Sequence, residues 1–367
     1  LDEASQPALA EPPAPPEPPA PRAEPSPPRA DLPGILSTLG QSLDLCVNAS
    51  RDLRRASFYI GLLTLATVGP FAAVLLAVGS SQGGFDWLAD AALGIEPVLQ
   101  PIDPGIPALL FLTVTIAIVG YLVISIEASV MAAAILAGRR IGRPLSMREA
   151  LRRSRQTFWR VIRASFLVGL LLLVPNVIVT FALEAILGAA SEGAAIASTA
   201  IGAIIGAPFA YITTGVVLGD VGAAEAVRRS IRLAKAKWRL AIAISSVGVV
   251  VAYIQLFALG AGIDLLSRVG SVLGVGFGSG VGGALALVAV ILLGILSVGS
   301  LVLTVAALIV APQVVAFLGL TAYGAGIERA HEESHNPPRV VPWVTVPMGI
   351  VIVVGFVAGV GGVLTML

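Results

Sequence analysis

"IPALLFLTVTIAIVGYLVISIEASVMAAAILAGRR", residues 106–140, holds one charged side chain, Glu127, before its closing arginines. Coiled as a helix, the 32 residues from Ile106 to Ala137 reach about 48 Å, more than the ~30 Å hydrocarbon core of a bilayer. The run lacks the alternation of an outer-membrane strand, so it predicts a membrane-crossing helix. Its excess length predicts a tilt or a stem beyond the bilayer. Six further apolar segments repeat the pattern: Phe58–Val78, Ala164–Leu187, Ala194–Leu218, Leu240–Leu259, Ala284–Tyr323 and Val344–Leu367. The sixth in chain order, Ala284–Tyr323, is also too long for a simple span, and Pro312 predicts a break in it. Pro70, Pro175 and Pro208 predict kinks.

Composition agrees. Only 12% of residues are charged, against roughly 25% in soluble domains. Mean hydropathy is +0.93. The net charge of +1 argues against a nucleic-acid partner. The single cysteine, Cys46, leaves no intrachain disulfide. The basic residues are 21 Arg and 2 Lys, which with abundant Ala and Gly suggests a GC-rich bacterial genome. Residues 1–34 hold 12 of the 25 prolines and predict an extended, disordered cytoplasmic arm without the apolar core of a signal peptide. Residues 35–367 form the predicted helical membrane domain.

Charge placement predicts orientation. Arg51, Arg54 and Arg55 precede the first span, and basic clusters follow the second, fourth and sixth. The alternate loops are acidic or nearly uncharged. The positive-inside rule then puts the N-terminus in the cytoplasm and the C-terminus outside.

The cationic loops share a phrase. "EALRRSR" (149–155) returns as "EAVRRSIR" (225–232), 76 residues later. On a helix, Met147, Ala150, Leu151, Phe158, Val161 and Ile162 form one apolar stripe, with Ser154 between them. Arg148, Arg152, Arg155 and Arg163 lie mostly elsewhere. In the second copy the stripe is Ala224, Val227, Ile231, Ala234 and Trp238, flanked by Arg228, Arg229, Arg232, Lys235 and Arg239. The spacing predicts the pairs Glu149–Arg153 and Glu225–Arg229, and a capping box from Ser146 and Glu149. Such helices suit the membrane–water interface, where each basic residue gains about 1 kcal/mol on an anionic leaflet. The candidate binding residues for lipid headgroups or a partner protein are therefore Arg148, Arg152, Arg153, Arg155, Trp159, Arg228, Arg229, Arg232, Lys235 and Trp238. An earlier helix, Ile35–Arg55, with Leu36, Leu39, Leu43 and Val47 on one face, completes the pattern. The fold expected is all-α: a polytopic membrane protein of about seven spans in three repeats of interfacial helix plus hairpin.

This arrangement resembles the membrane domain attached to some bacterial glycerophosphodiester phosphodiesterases, and its stand-alone relatives. The resemblance rests on "PFAYITTGVVLGDVGAAEAVRRSIRLAKAKWRLAI" (208–242) and "GRPLSMREALRRSRQTFWRVI" (142–162), with Asp220–Val221–Gly222 at the turn. It implies a multi-helix inner-membrane domain without catalysis.

One chemical motif stands apart. His331-Glu-Glu-Ser-His335 is a literal HExxH, able to put two imidazoles on one helical face. A catalytic zinc needs a third ligand, yet no Asp, Glu, His or Cys follows His335, and Pro337 and Pro338 end the helix. The motif reads as a polar loop rather than a metalloprotease, and no cofactor is expected. Glu127, Glu184, Asn176, Gln255 and Gln313 are the polar residues within spans. They read as glue between helices rather than a proton path, and Gly294, Gly299, Gly355 and Gly359 suit close helix packing. The leading functional expectation is a non-enzymatic bacterial inner-membrane protein that engages phospholipid headgroups, or a second membrane protein, through its arginine helices. A transporter or channel is the alternative.

Overall fold

The computed structural model describes residues 34–81, 105–188, 192–251, 253–255, 257, 281–321 and 326–328. The proline-rich arm, the seventh apolar segment with Gly355 and Gly359, and the His331–His335 motif lie outside them. Among the described residues there is no strand. The helices are α1 (Ile35–Asn48), α2 (Ser50–Ser81), α3 (Gly105–Arg140), α4 (Met147–Leu187) and α5 (Glu192–Gly206). After a 3-10 turn (Ala207–Phe209) come α6 (Ile212–Gly219), α7 (Ala223–Ala236), α8 (Trp238–Gln255) and α9 (Val281–Thr321). Among the described residues, five stretches are long and apolar enough to cross a membrane: Val114–Arg140, Met147–Leu187, Ile196–Gly219, Trp238–Gln255 and Leu292–Thr321. They coincide with the second to sixth apolar segments.

Helices α2, α3 and α9 pack on one another at the centre. Every residue of α3 from Val130 to Ala137 is fully buried, so this part of the helix is covered on all faces. Small residues bring the neighbouring backbones together. A Cβ on Gly299 of α9 would lie 2.6 Å from Gly61 Cα on α2, and one on Gly120 of α3 would lie 2.8 Å from Thr67 Cβ. Where no hydrophobic force drives helices together, such close approach supplies the dispersion contacts that do. Outside this centre the spans present bare apolar surface: Phe166, Leu170, Leu171, Val174, Ile178 and Phe181 of α4 are all exposed. That surface suits lipid.

Several boundaries differ from the expectation. The first basic helix ends at Asn48, and Arg51, Arg54 and Arg55 begin α2 instead. The first basic phrase is no separate interfacial helix: it opens the unbroken 41-residue α4, begun by the expected capping box, with Ser146 Oγ accepting from Glu149 N and Glu149 accepting from Ser146 N. Pro312 does not interrupt α9, and Pro175 lies within α4. Both helices continue through the ring, as spans do when neighbours absorb the freed carbonyls. Pro208 does break its span, at the 3-10 turn.

Two outcomes test this packing. Gly299→Val should lower the melting temperature of the detergent-purified chain, by about 1–3 kcal/mol of overpacking. Gly40→Ala, on α1 where an added Cβ meets nothing within 4 Å, should be neutral or slightly stabilising. Cys46 Sγ faces the Ala307 carbonyl of α9 at 3.8 Å, and burial pushes its thiol pKa up. Alkylation requires the thiolate. Labelling of Cys46 should therefore stay slow in the folded protein at mildly alkaline pH and become fast on unfolding in denaturing detergent.

Candidate functional site

Arg153 lies inside the fold, not on its surface. It belongs to the i, i+3, i+4 row of Ala150, Ser154, Thr157 and Val161, all buried, and is itself only 2% exposed. Its Nε and Nη2 donate to the Val217 carbonyl at 3.1 and 2.9 Å, and Nη2 also donates to Asp220 Oδ1 at 2.8 Å. Val217 stands in the last turn of α6, where carbonyls have no partner within the helix and the helix dipole is negative. Asp220 ends that helix in the left-handed conformation (φ 48°), which Asp tolerates better than most residues. Its carboxylate also accepts from Arg160 at 3.0 Å. Gly326, beyond α9, covers the group: a Cβ there would strike the Val217 carbonyl and lie 2.6 Å from Arg153 Nη2.

The second copy of the phrase meets the same turn. Arg229 matches Arg153 in the repeat, and a Cβ on Gly219 would lie 3.1 Å from Arg229 Nη1. Ser230 matches Ser154. Its hydroxyl accepts from Tyr211 N at 3.1 Å and donates to the Pro208 carbonyl at 2.8 Å, tying α7 to the turns around the 3-10 segment. The phrase thus approaches the α6 C-terminus twice, from α4 and from α7.

A second polar group is built on another arginine of the same phrase. Glu127 of α3 is fully buried, with Arg155 Nε 3.3 Å from its Oε1. Arg155 Nη2 also donates to Tyr59 Oη at 3.3 Å. This group bridges α2, α3 and α4. Gln255 Nε2 likewise donates to Tyr121 Oη at 3.0 Å, linking α8 to α3. Both agree with polar residues acting as glue between helices.

Five of the exposed cations lie on α7 and at its junction with α8. The inner row of α7 is Ala226, Val227, Ser230 and Ala234. Arg228, Arg232 and Lys235 are exposed, as are Lys237 and Arg239 beyond. The buried row is therefore turned from the expected one: Ala224 is exposed, and Trp238 lies past a break. That break is Lys237 (φ −142°, ψ 62°), whose N–H donates to the Leu233 carbonyl while its own carbonyl accepts from Ala241 N. Trp238 opens α8 at 60% exposed, with the Arg239 guanidinium 6.0 Å from its ring centroid. On α4, Arg148, Arg163 and Trp159 are exposed and Arg152 is half-buried.

Of the ten candidate binding residues, Arg153 and Arg155 are corrected. Arg153 is 2% exposed and Arg155 14%, and each is held in an ion pair, with Asp220 and Glu127 respectively. The expected pairs change too: Arg153 reaches Asp220 rather than Glu149, and Glu225 pairs with Arg232 at 2.7 Å, across two turns of α7. Sequence reasoning missed Asp220 and Glu127 as counter-ions. The signals were present: each is the lone acid in a long apolar run, and Arg153 shares a helical row with small residues. Among the described residues, no group of three His, Cys, Asp or Glu could hold a metal.

No protein-family model, curated protein or solved structure matches the chain.

The contrast between the buried and exposed pairs is measurable. Asp220→Ala leaves Arg153 charged in a buried site and should cost about 3–5 kcal/mol, seen as a large fall in melting temperature. Glu225→Ala breaks a pair at the surface and should cost under about 1 kcal/mol.

Proposed function

We propose that this is a non-enzymatic integral membrane protein that engages anionic phospholipid headgroups through the cationic face of α7 and its junction with α8. One observation carries the reading: α7 is a separate amphipathic helix whose small residues face the body while Arg228, Arg232 and Lys235 face out. An apolar span begins directly after it, with an exposed tryptophan at the join. Tryptophan beside arginine and lysine at the end of a span is the composition of a headgroup layer. Arg148, Arg163 and Trp159 on α4 extend the same surface, with Arg152 at its margin. Arg153 and Arg155 fall out of the set, and Arg229 contributes to the α6 turn.

The proposal includes the full topology: seven spans in three repeats, set in a bacterial inner membrane with the basic loops cytoplasmic. Kinship with the membrane domain of glycerophosphodiester phosphodiesterases belongs to the same proposal. A second membrane protein is the other partner such a surface could take. Lipid is preferred because the exposed cations border bare apolar surface.

The test is thermal melting of the purified full chain in nanodiscs of phosphatidylglycerol or phosphatidylcholine. The anionic lipid should stabilise the protein more, and 1 M salt, where the Debye length is about 3 Å, should erase most of the difference. The pair Arg228→Gln and Arg232→Gln should remove about 1 kcal/mol of that preference per residue. Equal melting temperatures in the two lipids would overturn the reading.

A further inference from the structure

A groove opens where α7 meets α8, with a volume of about 230 Å³. Its floor is Ala207, Pro208, Ile231, Ala234, Ala241 and Ile242, and Lys235 and Trp238 stand at its edge. Every floor residue is apolar and no acidic side chain lines it. Lys237 and Arg239, both exposed, flank the same edge. The cavity falls below the roughly 300–1,000 Å³ of sites that enclose a whole small molecule. It has room for a piece of an apolar chain, with the rest of that molecule outside.

We infer that this groove seats one acyl chain of an anionic phospholipid, with the headgroup phosphate on Lys235 and the Trp238 ring closing the side. The inference rests on the lipid reading above and locates one bound molecule within it. Three features choose the occupant. The groove lies at the start of a span, where acyl chains meet headgroups. The floor is apolar while the edge is cationic, which complements a molecule with an apolar tail and an anionic head. A second copy of this chain is disfavoured, because a two-fold contact would set Lys235, Lys237 and Arg239 against themselves. The break at Lys237 makes the site: α7 ends there, and Ala234 and Ala241 on either side of it are too small to fill the gap.

Trp238 supplies the readout. The full chain carrying Trp87→Phe, Trp159→Phe and Trp343→Phe keeps Trp238 as its only tryptophan. In nanodiscs, phosphatidylglycerol with brominated chains should quench Trp238 more than brominated phosphatidylcholine at equal mole fraction. Lys235→Gln should weaken the preference about five-fold, the equivalent of one basic contact. Ala234→Phe, which fills the groove and keeps every cation, should abolish it. The salt-sensitive stabilisation through Arg228 and Arg232 should survive both changes. Equal quenching by the two lipids, with that stabilisation intact, overturns the groove and leaves the lipid reading standing. Loss of both overturns both. Should Ala234→Phe fail to fold, Lys235→Gln decides, since it alters only the exposed edge; unchanged quenching there overturns the proposal.

Discussion

The fold turns on the carbonyl end of α6. A helix that stops inside a protein leaves acceptors which water would otherwise satisfy, and burying them without partners costs several kcal/mol. Here Arg153 reaches across from α4 to supply two donors to Val217, while Asp220 neutralises its charge. The guanidinium suits the task because its donors form a rigid fork and it holds its proton in an apolar setting. Helix α6 can therefore end within the body, and α7 can lie across it. Gly326 then seals the group from the far end of the chain, where any larger residue would strike the bond being protected.

The duplicated phrase shows how like sequences acquire unlike roles. In the first copy the helix runs on into the span, so the row holding Ala150, Arg153, Ser154 and Thr157 must face the body. In the second copy a break at Lys237 frees α7 from the span axis, and Ser230 binds it to the turn beside Pro208. Matching residues are then covered by different neighbours. Arg153 is sequestered, Arg229 reaches the same turn from its other side, and Arg228 and Arg232 stay outside. An arginine tally over the loops could not separate a structural guanidinium from a surface one, because burial is set by what packs opposite.

Two kinds of contact divide the work of holding the spans. Glycines at 61, 120 and 299 let α2, α3 and α9 approach until their backbones nearly touch. Polar pairs such as Glu127 with Arg155, and Gln255 with Tyr121, bridge helices where charge or amide groups would be costly in hydrocarbon. Large side chains along the later part of α4, such as Phe166, Leu170, Ile178 and Phe181, are left on the outside. Small residues sit at the closest helix contacts while bulky apolar side chains remain exposed on α4, a pattern suited to helices that cross a membrane.

Helix type, approximate span positions, the capping box at Ser146 and a bend at Pro208 were legible in the chain itself. Each follows from local chemistry: apolar length, side-chain acceptors near a free N–H, and the fixed φ of proline. The apolar row of the first phrase was legible for the same reason, since 3.6 residues per turn decides which side chains share a face. Tertiary packing alone decided that Arg153 points inward, that Glu225 takes Arg232, that α7 presents a turned face and that α9 continues past Pro312. The first of those outcomes depends on the carbonyl of Val217, the carboxylate of Asp220 and the crowding at Gly326. These groups lie 64, 67 and 173 residues from Arg153, beyond what any local pattern encodes.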